Sequence, residues 1–250
     1  DSGDTYNLLF KSSSASKMAS NITVEGIGDD ATCYGFGIRG VRMHSFEIRN
    51  VAIMLFGDDG IALQDENSNV WIHNNDIFYG TAGSDADQAK GDGSMDLKND
   101  SQYITISYNH FWDSGKMSLC GMKSETGENW ITYHHNWFDH SDSRHPRIRT
   151  MTVHVYNNYY DGNAKYGVGV TMGANAFVEA NYFRNCPRPM MSSKQGSDAL
   201  GEGTFSGENG GVIKSYNNIM ENQTSYITYQ QDSSSFDAYE ASERNEEVPS

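Results

Sequence analysis

Two aspartates four residues apart, Asp92 and Asp96 in the run GDGSMDLK, are followed by Lys98, then by Lys116 in SGKMSL and by Arg144, Arg147 and Arg149 in SRHPRIR. Carboxylates so placed could hold a hard cation through oxygen. Lysine could act as a point charge and arginine as a fork toward an anionic ligand. Each residue also has a plainer reading. Aspartates in a glycine-rich loop are commonly turn residues, and the arginines could be surface charge, with Lys98 and Arg147 peripheral. His134, His135 and His145 look like metal ligands, but consecutive strand residues point to opposite faces, so His134 and His135 are expected to serve packing. The charged groups form one site only if the fold brings their segments side by side.

The composition points to that fold. Leu, Ala, Lys and Arg are few, while Gly, Asn, Ser, Tyr and Ile are many, which favours strands joined by tight turns and an all-β chain. Nothing resembles an interdomain linker, so residues 1–250 are expected to form one domain, with 233–250 a loosely packed tail. The 33 acidic residues against 18 basic ones give a formal charge of −15. That sign argues against nucleic acid or an anionic membrane as partner, and an acidic polymer would need a local cationic patch or a bridging metal. Cys33, Cys120 and Cys186 lack metal-type spacing and are expected to be buried thiols. With no long apolar run and no charged-then-apolar start, neither a membrane span nor a retained secretory leader is expected.

A repeat supplies the architecture. Segments such as VWIHNNDIF, ITISYNHFW, ITYHHNWF, VHVYNNYY, AFVEANYF and IKSYNNIM align on Asn75, Asn109, Asn136, Asn158, Asn181 and Asn218. Apolar residues recur five before, three before and two after each asparagine, weakening only at Ser215 in the last copy. The spacings of 34, 27, 22, 23 and 37 residues set a minimal coil too short for a propeller blade. They suit a right-handed parallel β-helix, in which each coil buries its inward side chains by stacking on its neighbours. The asparagines are read as structural, tolerating a left-handed turn and hydrogen-bonding up a ladder. A second set of short runs, at Met95–Lys98, Met117–Leu119, Arg147–Arg149 and Val168–Val170, would stack at ~4.8 Å and gather the charges on one exposed sheet face. Longer insertions run from Tyr79 to Gly93 and from Pro187 to Gly211, and the pattern fades after Asn222.

The segment from Gly57 to Asn158 resembles the pectate lyases of polysaccharide lyase family one. DGSMDLK resembles the family's acidic calcium segment, ITISYNHF and ITYHHNWF its ladder strands, and SRHPRIR its R-x-P-x-x-R run. The resemblance implies cleavage of α-1,4-polygalacturonate by calcium-assisted β-elimination. It implies Asp92 and Asp96 as Ca2+ ligands, joined by Asp59 with Asp58 as the alternative, Arg144 as base, and Lys116 and Arg149 as groups on the substrate carboxylates. Lys98 is the further substrate-binding candidate. The family's W-I-D-H segment reads Trp71, Ile72, His73, Asn74 here, a departure from its pattern. By the same resemblance the protein is expected to be secreted and a monomer.

Other functions fit parts of the pattern. A β-helical polygalacturonase would use clustered carboxylates without calcium, a pectin lyase would act on methyl-esterified polymer, and a noncatalytic β-helix would bind carbohydrate without cutting it. The joint presence of the acidic run, Lys116 and the arginine run favours the lyase.

Overall fold

A computed structural model describes residues 6–14, 16–17, 19–80, 92–122, 125–126, 129–193 and 210–230. The expected tail at 233–250 lies outside them, as does most of the insertion that leads into Asp92 and of the one after Pro187. Among the described residues every named strand pairs in parallel, and three sheets result, of nine, eight and eight strands. No described helix is long and apolar enough to cross a membrane.

Each coil contributes one strand to each sheet, so a strand pairs with its counterpart one coil on. Met95–Lys98 lies between Ile61–Gln64 and Leu119–Cys120 in the first sheet, and Arg147–Arg149 follows. The repeat segments fill the second sheet up to their asparagine and the third sheet after it. Ile104, for example, pairs with Ile131, and Phe111 with Phe138. The aligned apolar positions therefore stack in columns. Ile72, Ile106, Tyr133, Val155 and Val178 are fully buried, as are Ile77, Phe111, Phe138, Tyr160 and Phe183. The fold is the expected parallel β-helix.

The asparagine ladder closes the corner between the second and third sheets. The Nδ2 of Asn75 donates to Oδ1 of Asn109 at 3.0 Å, and the same bond links Asn109 to Asn136, Asn136 to Asn158, Asn158 to Asn181 and Asn181 to Asn218. Each Oδ1 also accepts the backbone N–H of the asparagine before it. The left-handed conformation falls one residue earlier than expected. Asn74, Tyr108, His135, Asn157, Ala180 and Asn217 carry the positive φ, which frees the ladder asparagine to point inward. Asn136→Ala would strip the acceptor from two donors of Asn109 and leave Ile106 O without its donor. At roughly 1–3 kcal/mol for each buried group left unsatisfied, a loss of about 3–5 kcal/mol is expected. Urea unfolding would measure it, and a loss under ~1 kcal/mol would show that water or a neighbour can replace the ladder bond.

The pattern extends beyond its sequence limits. Asn7–Lys11 opens the first sheet, and Ile227–Gln230, past the point where the repeat fades, pairs with Met190–Ser193. Cys120 and Cys186 are buried and Cys33 is only half-buried; all three are free thiols.

Candidate functional site

The turns that lead from the third sheet into the first bring the charged residues together. Gly93 pairs with Lys116, and Lys116 with Ser143, so three successive turns lie edge to edge. Asp58 and Asp59 come from the preceding coil, where Asp58 O accepts the N–H of Asp92 at 2.8 Å. Asp58, Asp59 and Asp92 each present a carboxylate oxygen, and these atoms lie within 4.8 Å of one another. Asp58 and Asp59, the two alternatives for one position, both stand in the cluster.

Asp96 joins through Lys98. The Lys98 Nζ lies 2.8 Å from Oδ2 of Asp59 and 2.9 Å from Oδ2 of Asp96. The second oxygen of each carboxylate is held by backbone: Gly93 N–H donates to Asp59 Oδ1 and Leu119 N–H to Asp96 Oδ1, both at 2.9 Å. Lys116 Nζ makes an ion pair with Asp92. Gly93 is a part of this site that sequence reading missed. A Cβ there would stand 2.3 Å from Asp96 Oδ1, so the residue between the two acidic positions must be glycine for Asp96 to lie where it does.

Burial shapes the electrostatics. Asp59 is pushed up to about 7, by burial first and then by the neighbouring Asp96 charge, against the pull of Lys98. Burial disfavours the Lys98 ammonium too, yet Asp96 and Asp59 outweigh it and hold Lys98 firmly protonated. Asp92 is only half-buried, and Lys116, Lys98 and Arg144 outweigh that burial to keep its carboxyl below the usual carboxylate range. The pairing of Ser143 with Lys116, which itself pairs with Gly93, brings the head of SRHPRIR beside the acidic cluster.

The arginines differ from expectation in one respect. Arg147 is fully buried, neither surface charge nor peripheral, and Lys116 and Arg149 are only 5% and 1% exposed, so this sheet face is covered. Ile148 points into the core and its two neighbours point outward. There Tyr166 and Met191 form a small apolar cluster apart from the main core. Met191 lies in the same row as Arg147, through Gly169. Arg149 is held well below the usual arginine value by burial, with Arg147 and Arg144 adding to it. Arg144 itself takes a left-handed conformation, with φ of 68°, that costs a non-glycine residue about 1–2 kcal/mol. Its carbonyl is fixed by the N–H of Ser118 at 2.7 Å.

The histidines stay outside the site. His145 is fully buried, with Nδ1 on Tyr166 O and Nε2 on Ser141 Oγ, and burial pushes it down to about 3. His134 and His135 do not point to opposite faces: the left-handed turn at His135 swings its ring outward, and the two Nδ1 atoms lie 2.8 Å apart. At the departure from W-I-D-H, His73 bonds Glu47 at 2.9 Å and Asn74 at 2.7 Å and stacks on Trp71.

Carboxylates interleaved with lysines and arginines, gathered at one sheet of a parallel β-helix, define a solenoid protein with a single charged site. A sequence model of the pectate lyase family matches residues 8–243. The chain belongs to that family. It is 34% identical over 180 residues to a pectate trisaccharide-lyase of Bacillus licheniformis, covering 70% of this chain and 52% of the relative. Identity to pectate lyase B of Dickeya chrysanthemi is 35% over 182 residues, 69% of this chain and 48% of the relative. The chain thus spans about half the length of these curated relatives. Pectate lyase II from Xanthomonas campestris superposes with a TM-score of 0.72 at 29% identity, over 98% of this chain and 71% of that one. A Bacillus sp. N165 pectate lyase in complex with trigalacturonate superposes with a TM-score of 0.71 at 28% identity, over 87% and 69%.

Proposed function

We propose that the protein is a calcium-dependent pectate lyase that cleaves polygalacturonate by β-elimination. The observation that carries the reading is the meeting of the Asp58, Asp59 and Asp92 oxygens with Lys116 and Arg144 on adjoining turns.

The residues fit calcium. Hard carboxylate oxygens suit its preference for several oxygen ligands in flexible geometry, and buried like charges, which raise Asp59, call for a countercharge. Asp58, Asp59, Asp92 and Asp96 would hold the ion. When bound, it would neutralise acidic substrate and acidic protein together and acidify the proton next to the substrate carboxylate. Lys116 and Arg149 would bind the uronate carboxylates and stabilise the negative charge that grows on C6 as C5 loses its proton. Arg144, entering the step as a neutral guanidine, would take that proton on a guanidine nitrogen and become guanidinium. The C5–H electron pair becomes the C4–C5 double bond, the C4–O bond breaks, and the departing oxygen is protonated by solvent.

An enzyme for an extracellular polymer acts outside the cell, and one chain supplies all of these groups, so a monomer suffices. Incubation with polygalacturonate should yield 4,5-unsaturated oligogalacturonates, seen as rising ultraviolet absorbance. Reducing ends released without absorbance would instead mark a hydrolase, and binding without cleavage would mark a noncatalytic β-helix. Low-ester pectin should be cut faster than methyl-esterified pectin, because a neutral ester gives calcium little to bridge.

A further inference from the structure

We infer that Lys98 is a built-in counter-ion of the carboxylate cluster, a side chain that secures Asp59 and Asp96 when calcium is scarce and sets the concentration of calcium needed to displace it. The inference rests on the calcium reading above and assigns Lys98 a task other than holding substrate.

Lys98 ends its strand facing outward, and its ammonium bridges Oδ2 of Asp59 and Oδ2 of Asp96. The opposite oxygens are already fixed by the amides of Gly93 and Leu119. Each carboxylate therefore has one oxygen committed to backbone and one aimed at the same monocation. Asp59 and Asp96 are 1% and 3% exposed, and two buried carboxylates left without a cation would repel each other strongly. The Lys98 side chain keeps 16% of its surface in solvent. A flexible four-carbon stem with a path to water can swing aside, as a guanidinium fork held by the same two carboxylates would do less readily.

A divalent ion reaching these two oxygens competes directly with the ammonium. Lys116 holds Asp92 in the same manner on the other side of the cluster. Four carboxylates thus meet two lysine ammoniums and the neighbouring Arg144 charge, leaving a residual negative charge that an added cation would offset.

Calcium titration by calorimetry and thermal unfolding, both without substrate, separate these roles. K98M keeps the length of the side chain and removes its charge. In chelator it should melt below wild type, and in saturating calcium the gap should close. Its calcium Kd should tighten roughly tenfold, because the competing charge has gone. K98R, which keeps the charge, should stay close to wild type in chelator and bind calcium no more tightly. K98M obtainable only in calcium, with K98R stable in chelator, would be the same result in stronger form. A K98M variant whose calcium Kd is unchanged or weaker, or whose melting in chelator matches wild type, overturns the counter-ion role. A wild-type protein that binds no calcium by either method overturns the calcium reading itself.

Discussion

A chelator is expected to silence cleavage of polygalacturonate by about a thousandfold or more, with activity returning when calcium is added back. The size follows from what the carboxylate cluster would otherwise do. Asp59 and Asp96 are buried, Asp92 is paired to Lys116, and a polyanion approaching this acidic surface meets repulsion before it meets Arg149. Losing several kcal/mol of charge stabilisation in the transition state corresponds to about three powers of ten in rate. Initial rates of absorbance increase, at fixed polymer and stepped free calcium, make the measurement. Undiminished rates in excess chelator would remove calcium from the mechanism and return attention to Lys98 and Lys116 as the cations that matter.

Arg144→Lys should lose turnover by about a thousandfold while keeping its affinity for oligogalacturonate and calcium. A positioned general base contributes on the order of 10²–10⁴, and anchoring is assigned to Lys116, Arg149 and the calcium ligands. Arg144 is held in the left-handed region by a bond from Ser118 N–H to its carbonyl, and its charge reaches Asp92. Left-handed corners recur throughout this fold, so it is the place of Arg144 beside the acidic turns that motivates a catalytic role. Turnover retained in the lysine variant, or binding lost with saturated turnover intact, would make Arg144 a binding group and place the base elsewhere. Arg149, which burial and two neighbouring arginines depress, would be the next residue to test.

The parts legible in the sequence were those that repeat. Inward positions around each ladder asparagine follow a fixed local spacing, and stacking then brings Asp96, Lys98, Lys116 and the arginines together whatever the insertions do between them. What escaped depended on single turns or on distant coils. Arg147 and Arg149 lie on an outward face, which alternation equates with exposure, but Tyr166 and Met191 from later coils add apolar bulk on that side. His134 and His135 share a side because the residue before a ladder asparagine turns left-handed, a backbone state that strand alternation does not encode. The need for Gly93 became visible only when Asp96 was seen beside it.

The asparagine ladder also has a consequence for how this scaffold can change. Its bonds set each coil by a corner and not by length, since the same 3.0 Å contact spans separations of 22 to 37 residues. Chain inserted between strands of successive coils therefore need not shift the register of the strands behind it. The backbone works as an indexed rack, and the chain between coils can be exchanged or lengthened while each charged group keeps its level.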